Sequence, residues 1–209
     1  VITIRVRPGI YFADDPAFKG VRRELVAADF VYSLKRHWDP KVKSPNLYLI
    51  ADRIKGMAPL RAEAEKSGRF DYDREVDGLR ALNRYTLRIE LAQPSPNFTY
   101  FLTLCPIGCA VAREVVEAYG EKIAEHPVGT NAFRLTHYAR SSRMVFERNP
   151  NFRDQRYEAQ PPANDPASQQ IAARLSGRPL PMIDRVEVSI VEEAQPRWLA
   201  FLNAEHDLI

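Results

Sequence analysis

The chain of 209 residues is 45% hydrophobic and carries 30 basic against 27 acidic residues, for a formal net charge of +3. That is enough to bury one large core or two small ones, and too balanced for composition to indicate a nucleic-acid surface. No apolar run approaches the roughly 18 residues that a spanning helix needs.

Residues 1–6 alternate, with Ile2, Ile4 and Val6 on one face and Thr3 and Arg5 on the other, which predicts a half-buried strand. Pro8-Gly9 marks a turn, and IYFADDPAFKG reads as a short strand followed by a polar loop. From Ala27 the spacing becomes helical. Phe30, Val31, Leu34 and Trp38 form an apolar stripe, from which Lys35, Arg36 and Asp39 fall away. Asp29 suits the first turn of that helix, and Asp39-Pro40 ends it.

Residues 41–80 are mixed. SPNLYLIADRIKGM is compatible with helix, whereas EAEKSGRFDYDREVDG is a polar excursion. YTLRIEL predicts a strand with Leu87, Ile89 and Leu91 on one side, stopped at Gln93-Pro94-Ser95-Pro96. FTYFLTL suits a buried helix or strand, and AREVVEAYGEKIA a short helix burying Val115, Val116, Tyr119 and Ile123. In HPVGTNAFRLTHYARSSRMVFERNPNF, Phe133, Leu135 and His137 alternate with Arg134, Thr136 and Tyr138. Met144 and Phe146 continue the pattern, which predicts a hairpin with a four- or five-residue loop. Residues 153–184 form a Pro-rich connection with ASQQIAARL helical inside it; the strand RVEVSIV and the closing helix RWLAFLNA follow, with Pro196 near the first turn. The expectation is an α+β fold with a mixed sheet, divided near Pro94. VITIRV and HDLI both lie inside element-like patterns, so the two ends read as cuts within a fold, and the lack of a leader at residue 1 says nothing about compartment.

The chemistry of catalysis is missing from these patterns. Gly129-Thr130 has one glycine and leads into a strand, whereas a phosphate loop needs several glycines at the head of a helix; it is a turn. His37, His126, His137 and His206 have no metal-ligand spacing, no G-x-S-x-G elbow occurs, and Ser141-Ser142 lies in the hairpin loop. Glu205, His206 and Asp207 read as a surface cluster, and Glu192-Glu193 as acids at a helix start. No catalytic residue, metal site or cofactor is nominated. Cys105 and Cys109 lack zinc partners, and Pro106 and Gly108 argue against a regular helix between them. Buried free thiols are expected there, with a short-loop disulfide as the alternative in an oxidising compartment. A binding module needs only a cleft, aromatics and a few polar anchors. Tyr48, Tyr100, Tyr138 and Trp198 are available, though most aromatics serve cores or edges.

Four stretches, in order, resemble the family 5 extracellular solute-binding proteins, the peptide, dipeptide and nickel receptors of bacterial ABC importers. ITIRVRPGIYFAD is similar to that family's strand-turn-strand opening, and LVAADFVYSLKRHWDP to its helix signature. HPVGTNAFRLTHYARSSRMVFERNPNF resembles its most specific turn and hairpin, and IDRVEVSIVEEAQPRWLAFLNAEHDLI its closing strand-helix-strand unit. There are departures. Val26 stands where a Thr would cap the helix, forfeiting about 1 kcal/mol unless another group caps it. Asn131-Ala132 replaces Gly-Pro, Ala204 replaces a Gly, and the connection at 153–184 is long.

The resemblance implies a periplasmic binding protein-like fold of the class II type, present as a partial lobe. Residues 1–100 would be the accessory subdomain of lobe one and 101–209 part of its hinge-proximal sheet domain, with the second lobe absent. It also implies a non-enzymatic receptor, periplasmic or extracellular and lipid-anchored through a missing N-terminus, that delivers a short peptide or similar solute to an importer's permease subunits. By position, Asn46, Tyr48 and Cys105 are the expected ligand-binding residues. The alternative is a sensory or protein-interaction domain that reuses the receptor fold without transport.

Overall fold

The computed structural model describes residues 1–209, which divide into two compact units. The first comprises Val1–Ala124, Val128–Thr130 and Asn151–Arg153, and the second comprises Glu125–Pro127, Asn131–Pro150 and Asp154–Ile209. Pro94 and Pro96 therefore lie inside the first unit, and the helical segments after them fold with it.

In the first unit the opening alternation makes β1 (Ile2–Arg5), with Ile2 and Ile4 turned inward. β2 (Leu79–Asn83) and β3 (Thr86–Ile89) follow, and the sheet has the order β1-β3-β2, antiparallel throughout. β3 is the strand predicted by YTLRIEL. β2 escapes a pattern search because only Leu79 of its five residues is buried. α1 (Ala27–Arg36) packs against β2 and β3, and its start is pinned by the Ala27 N–H donating to the Arg84 carbonyl at 2.9 Å. α2 (Met57–Ser67) buries Met57, Leu60 and Ala64, so the polar excursion begins as helix. A Cβ at Gly78 would meet the Lys55 carbonyl oxygen at 2.1 Å, so only glycine lets these backbones pass. Trp38, Phe12, Ile50, Met57, Ile89 and Phe98 are almost fully buried at the centre of this core. Each such side chain contributes about 1.5–3 kcal/mol of transfer free energy.

Two features of α1 depart from the sequence expectation. The missing Thr cap is offset from the other direction: Asp29 accepts the Val26 N–H at 2.8 Å, as the third helical residue does in the reverse half of a capping box. Lys35 and Asp39, off the apolar stripe, are nevertheless buried at 3% and 7% exposure. Lys35 Nζ donates to the Tyr72 and Arg74 carbonyls at 2.9 and 2.6 Å, and Asp39 accepts from the Tyr72 hydroxyl at 2.6 Å. The loop after α2 folds over this face of the helix, and periodicity on one element does not report a covering loop.

FTYFLTL becomes α3 (Phe98–Thr103), and a single helical turn follows as α4 (Cys105–Gly108). Pro106 and Gly108 do not prevent that turn. Pro106 lies in the first turn, where its missing N–H has no intrahelical acceptor to lose, and Gly108 is the last residue. α5 (Arg113–Tyr119) buries Val115 and runs into a 3-10 segment at Gly120–Glu125.

In the second unit β4 (Phe133–Ala139) and β5 (Arg143–Arg148) form the predicted hairpin, but its loop has three residues. Ser141 occupies the left-handed region at φ +55°, and the Ser142 N–H donates to the Ala139 carbonyl at 3.1 Å. A bulge between Leu135 and His137 sets Leu135 opposite Phe146 but His137 opposite Val145. His137 thereby leaves the apolar row and Tyr138 joins it. β6 (Arg185–Ser189) completes the antiparallel order β4-β5-β6, so the expected mixed sheet is instead two antiparallel three-stranded sheets. α6 (Pro166–Leu175) is capped by Asp165, which accepts the Ser168 N–H at 3.0 Å, and α7 (Ala194–Leu202) follows β6. Val145 is the one buried apolar side chain of this unit.

Candidate functional site

The loop between α1 and α2 carries two of the three residues nominated from sequence. Ser44 organises it: its hydroxyl oxygen accepts the Asn46 N–H at 3.3 Å and meets His37 Nδ1 at 2.7 Å. Burial pushes the His37 pKa down, opposed by a hydrogen bond to the backbone of Ile107. His37 thus joins the Asn46 loop to α4, the turn that begins at Cys105. Tyr48 belongs to a 3-10 turn at Leu47–Leu49 and is 77% exposed. No hydrogen bond links the side chains of Asn46, Tyr48 and Cys105 to one another, so the structure brings their segments together and not the groups themselves.

Cys105 is neither buried nor a free thiol, contrary to the first expectation. It forms a disulfide with Cys109, both residues are exposed, and no free cysteine remains. α4 supplies the reason, because one helical turn places residues four apart on the same face and sets these Cα atoms 4.9 Å apart, within bridging range.

Beside Tyr48 opens a pocket of about 250 Å³ lined also by Asp52, Arg53, Gln93, Pro94 and Ser95. Arg53 is fixed on three sides. Nε donates to the Leu49 carbonyl at 2.8 Å, Nη1 donates to Ser95 Oγ at 2.6 Å, and the guanidinium carbon lies 5.0 Å from the Phe101 ring centre. Sequence reasoning missed Arg53 and Ser95. They are 42 positions apart, in turn-rich stretches with no shared spacing, and only the fold makes them neighbours.

A larger pocket, about 680 Å³, lies between α1, the loop after α2, β2 and α5. Its charges are mostly paired, within the pocket or just outside it. Arg23 pairs with Asp29 at 2.6 Å and Glu114 at 2.9 Å, Arg113 with Asp73 and, at 2.6 Å, Glu117, Arg74 with Glu63 and Arg80 with Asp77. Burial lowers the Lys35 pKa, and burial followed by the bond to Asp39 drives the Tyr72 phenol well above its usual value. Such a network holds α1, the loop and α5 together. No three His, Cys, Asp or Glu side chains converge where they could hold a metal ion.

Known structures share this architecture. The pheromone receptor PrgZ superposes with a TM-score of 0.67 at 23% identity, over 98% of this chain and 34% of that one. The fold is that of the periplasmic binding protein-like receptors. The model of bacterial extracellular solute-binding proteins, family 5, middle region, matches residues 1–209, and the chain belongs to that family.

Among curated relatives, the periplasmic oligopeptide-binding protein OppA of Salmonella typhimurium is 31% identical over 133 residues, covering 62% of this chain and 23% of that protein. The probable deoxycholate-binding periplasmic protein YgiS of Escherichia coli is 30% identical over 155 residues, covering 71% and 26%. The chain spans about a quarter of the length of these relatives. No helix is long and apolar enough to cross a membrane.

Proposed function

We propose that this chain forms part of lobe one of a two-lobed receptor that captures a short peptide and hands it to the permease of an ABC importer. The observation that carries this reading is the family match over all 209 residues. The ligand class follows the relatives whose names specify oligopeptides. Residues 1–100, all within the first compact unit, would be the accessory subdomain, and 101–209, which include the second unit, part of the sheet domain beside the hinge.

Surface chemistry agrees with a role inside a larger molecule. Bulge and register together put Phe133, Leu135, Tyr138, Met144, Phe146, Val186 and Val188 on one face of the second sheet, and none of the seven is buried. In the parent protein this row is the seat for the rest of lobe one. The ligand-facing edge is the loop system at Asn46, Tyr48 and the Cys105–Cys109 turn, which offers an aromatic ring and polar groups rather than a nucleophile. Closure is the mechanism: contacts from both lobes favour the closed state by differential affinity. The peptide leaves uncleaved, so the role is not enzymatic. The site of action is the periplasm or the outer surface of the cell, where a lipid anchor on the parent protein would hold it near the importer.

Calorimetry on the intact parent protein and on the 209-residue chain tests this with a pool of tri- to pentapeptides. The intact protein should bind, and the chain alone should bind at least about 100-fold more weakly, because one lobe forfeits half of the contacts. Silence from the intact protein, or equal affinity from the chain alone, would overturn the proposal.

A further inference from the structure

We propose that Arg53 is a carboxylate-binding residue of this receptor, taking an acidic group of the ligand into the pocket beside Tyr48. This rests on the receptor reading above and assigns one chemical group of the ligand to one side chain.

Arg53 is held but not neutralised. Its bonds to the Leu49 carbonyl and to Ser95 use two of five guanidinium N–H bonds, and no Asp or Glu lies within ion-pair distance. Its neighbours in the fold are different: Lys55 pairs with Glu90 at 2.8 Å and Arg88 with Glu90 at 3.3 Å. Three N–H bonds of Arg53 remain for a ligand, and a planar fork of that kind matches the two oxygens of a carboxylate. Phe101 beneath the guanidinium and the two hydrogen bonds fix the fork in advance, which reduces the entropy lost on binding.

The rest of the pocket is also uncommitted. Tyr48, Gln93 and Asp52 line it, and their side chains make no hydrogen bond within the protein. Ser95 accepts from Arg53 and keeps its own proton to donate. Asp52 lines the same pocket without pairing with Arg53, and its negative charge disfavours a dianion there relative to a single carboxylate. A peptide offers a single carboxylate at its free C-terminus or at an acidic side chain.

The test is native mass spectrometry of the intact receptor in competition between trialanine, trialanine amide and Ala-Glu-Ala amide. Trialanine should outcompete its amide by about 10- to 100-fold, the range for a charge-assisted hydrogen bond, and Arg53→Gln should abolish that preference. Arg53→Lys keeps the charge without the fork and should retain only part of it, which covers the case of a glutamine variant that does not fold. Recovery by Ala-Glu-Ala amide would show that the pocket also takes a side-chain carboxylate, and failure to recover would restrict it to the terminus. Equal binding of all three by the wild type, or a preference that survives Arg53→Gln, would overturn the role of Arg53 while leaving the receptor intact. No binding of any peptide would overturn both.

Discussion

Asp29 gives the sharpest prediction about stability. Its carboxylate is 3% exposed, caps α1 through the Val26 N–H at 2.8 Å and pairs with Arg23 at 2.6 Å. Replacing it with Asn keeps an oxygen that can accept from Val26 but removes the charge; replacing it with Ala removes both. Breaking a fully buried pair costs about 3–5 kcal/mol. Arg23 is 22% exposed and retains Glu114, so about 1–2 kcal/mol is the expected cost of the lost charge. The cap adds about 1 kcal/mol. Asp29→Asn should therefore lose about 1–2 kcal/mol and Asp29→Ala about 2–3 kcal/mol, or about 6–15 °C in Tm for a unit of this size. Trp38 is buried in the first unit and Trp198 lies in the second. Urea titration followed by fluorescence in a Trp198→Phe background therefore reads the first unit alone. An Ala variant within 0.5 kcal/mol of wild type, about the noise of surface substitutions, would refute the reasoning, as would Asn as damaging as Ala.

Further consequences follow from particular groups. Glu24 accepts from Arg84, the Gly9 N–H and Tyr85, and the Arg84 bond is the chief cause of a pKa lowered from 4.5 to about 2. Its stabilisation is complete above pH 4.5 and lost as pH falls through about 2, so the stability gap between wild type and Glu24→Gln should close over that interval; a gap constant from pH 7 to 2 would contradict it. Replacing Cys105 and Cys109 together with Ser should cost about 2 kcal/mol by loop entropy for so short a loop, and an unchanged urea midpoint would count against a stabilising bridge. In the 209-residue chain, amides of β4, β5 and β6 should exchange hydrogen faster than those of β1 and β3, since the second unit buries a single apolar side chain. Equal protection would show a core not evident from the burial.

The outline of the fold was legible wherever one element carried its own period. β1, β3, α1, the hairpin at 133–148, β6 and both late helices announce themselves through alternation or a stripe of apolar residues. β2 did not, because its partners cover only Leu79. The bulge after Leu135 and the burial of Lys35 were equally silent, since both depend on a second segment laid against the first. The candidate site shows the same limit. Tyr48 could be nominated from a resemblance in one stretch, whereas Arg53 acquires its meaning from Ser95 and Phe101, more than 40 positions away. The disulfide is not legible from composition, because Pro106 and Gly108 disfavour a long helix, whereas the single turn starting at Cys105 accommodates both and sets the two sulfurs side by side.

Whether this chain is one part of a peptide receptor is read out by native mass spectrometry of the intact parent protein purified from its own host. The expected result is a spread of adduct masses that fragment as short peptides. A parent protein that carries no adduct and gains none when short peptides are added would contradict it.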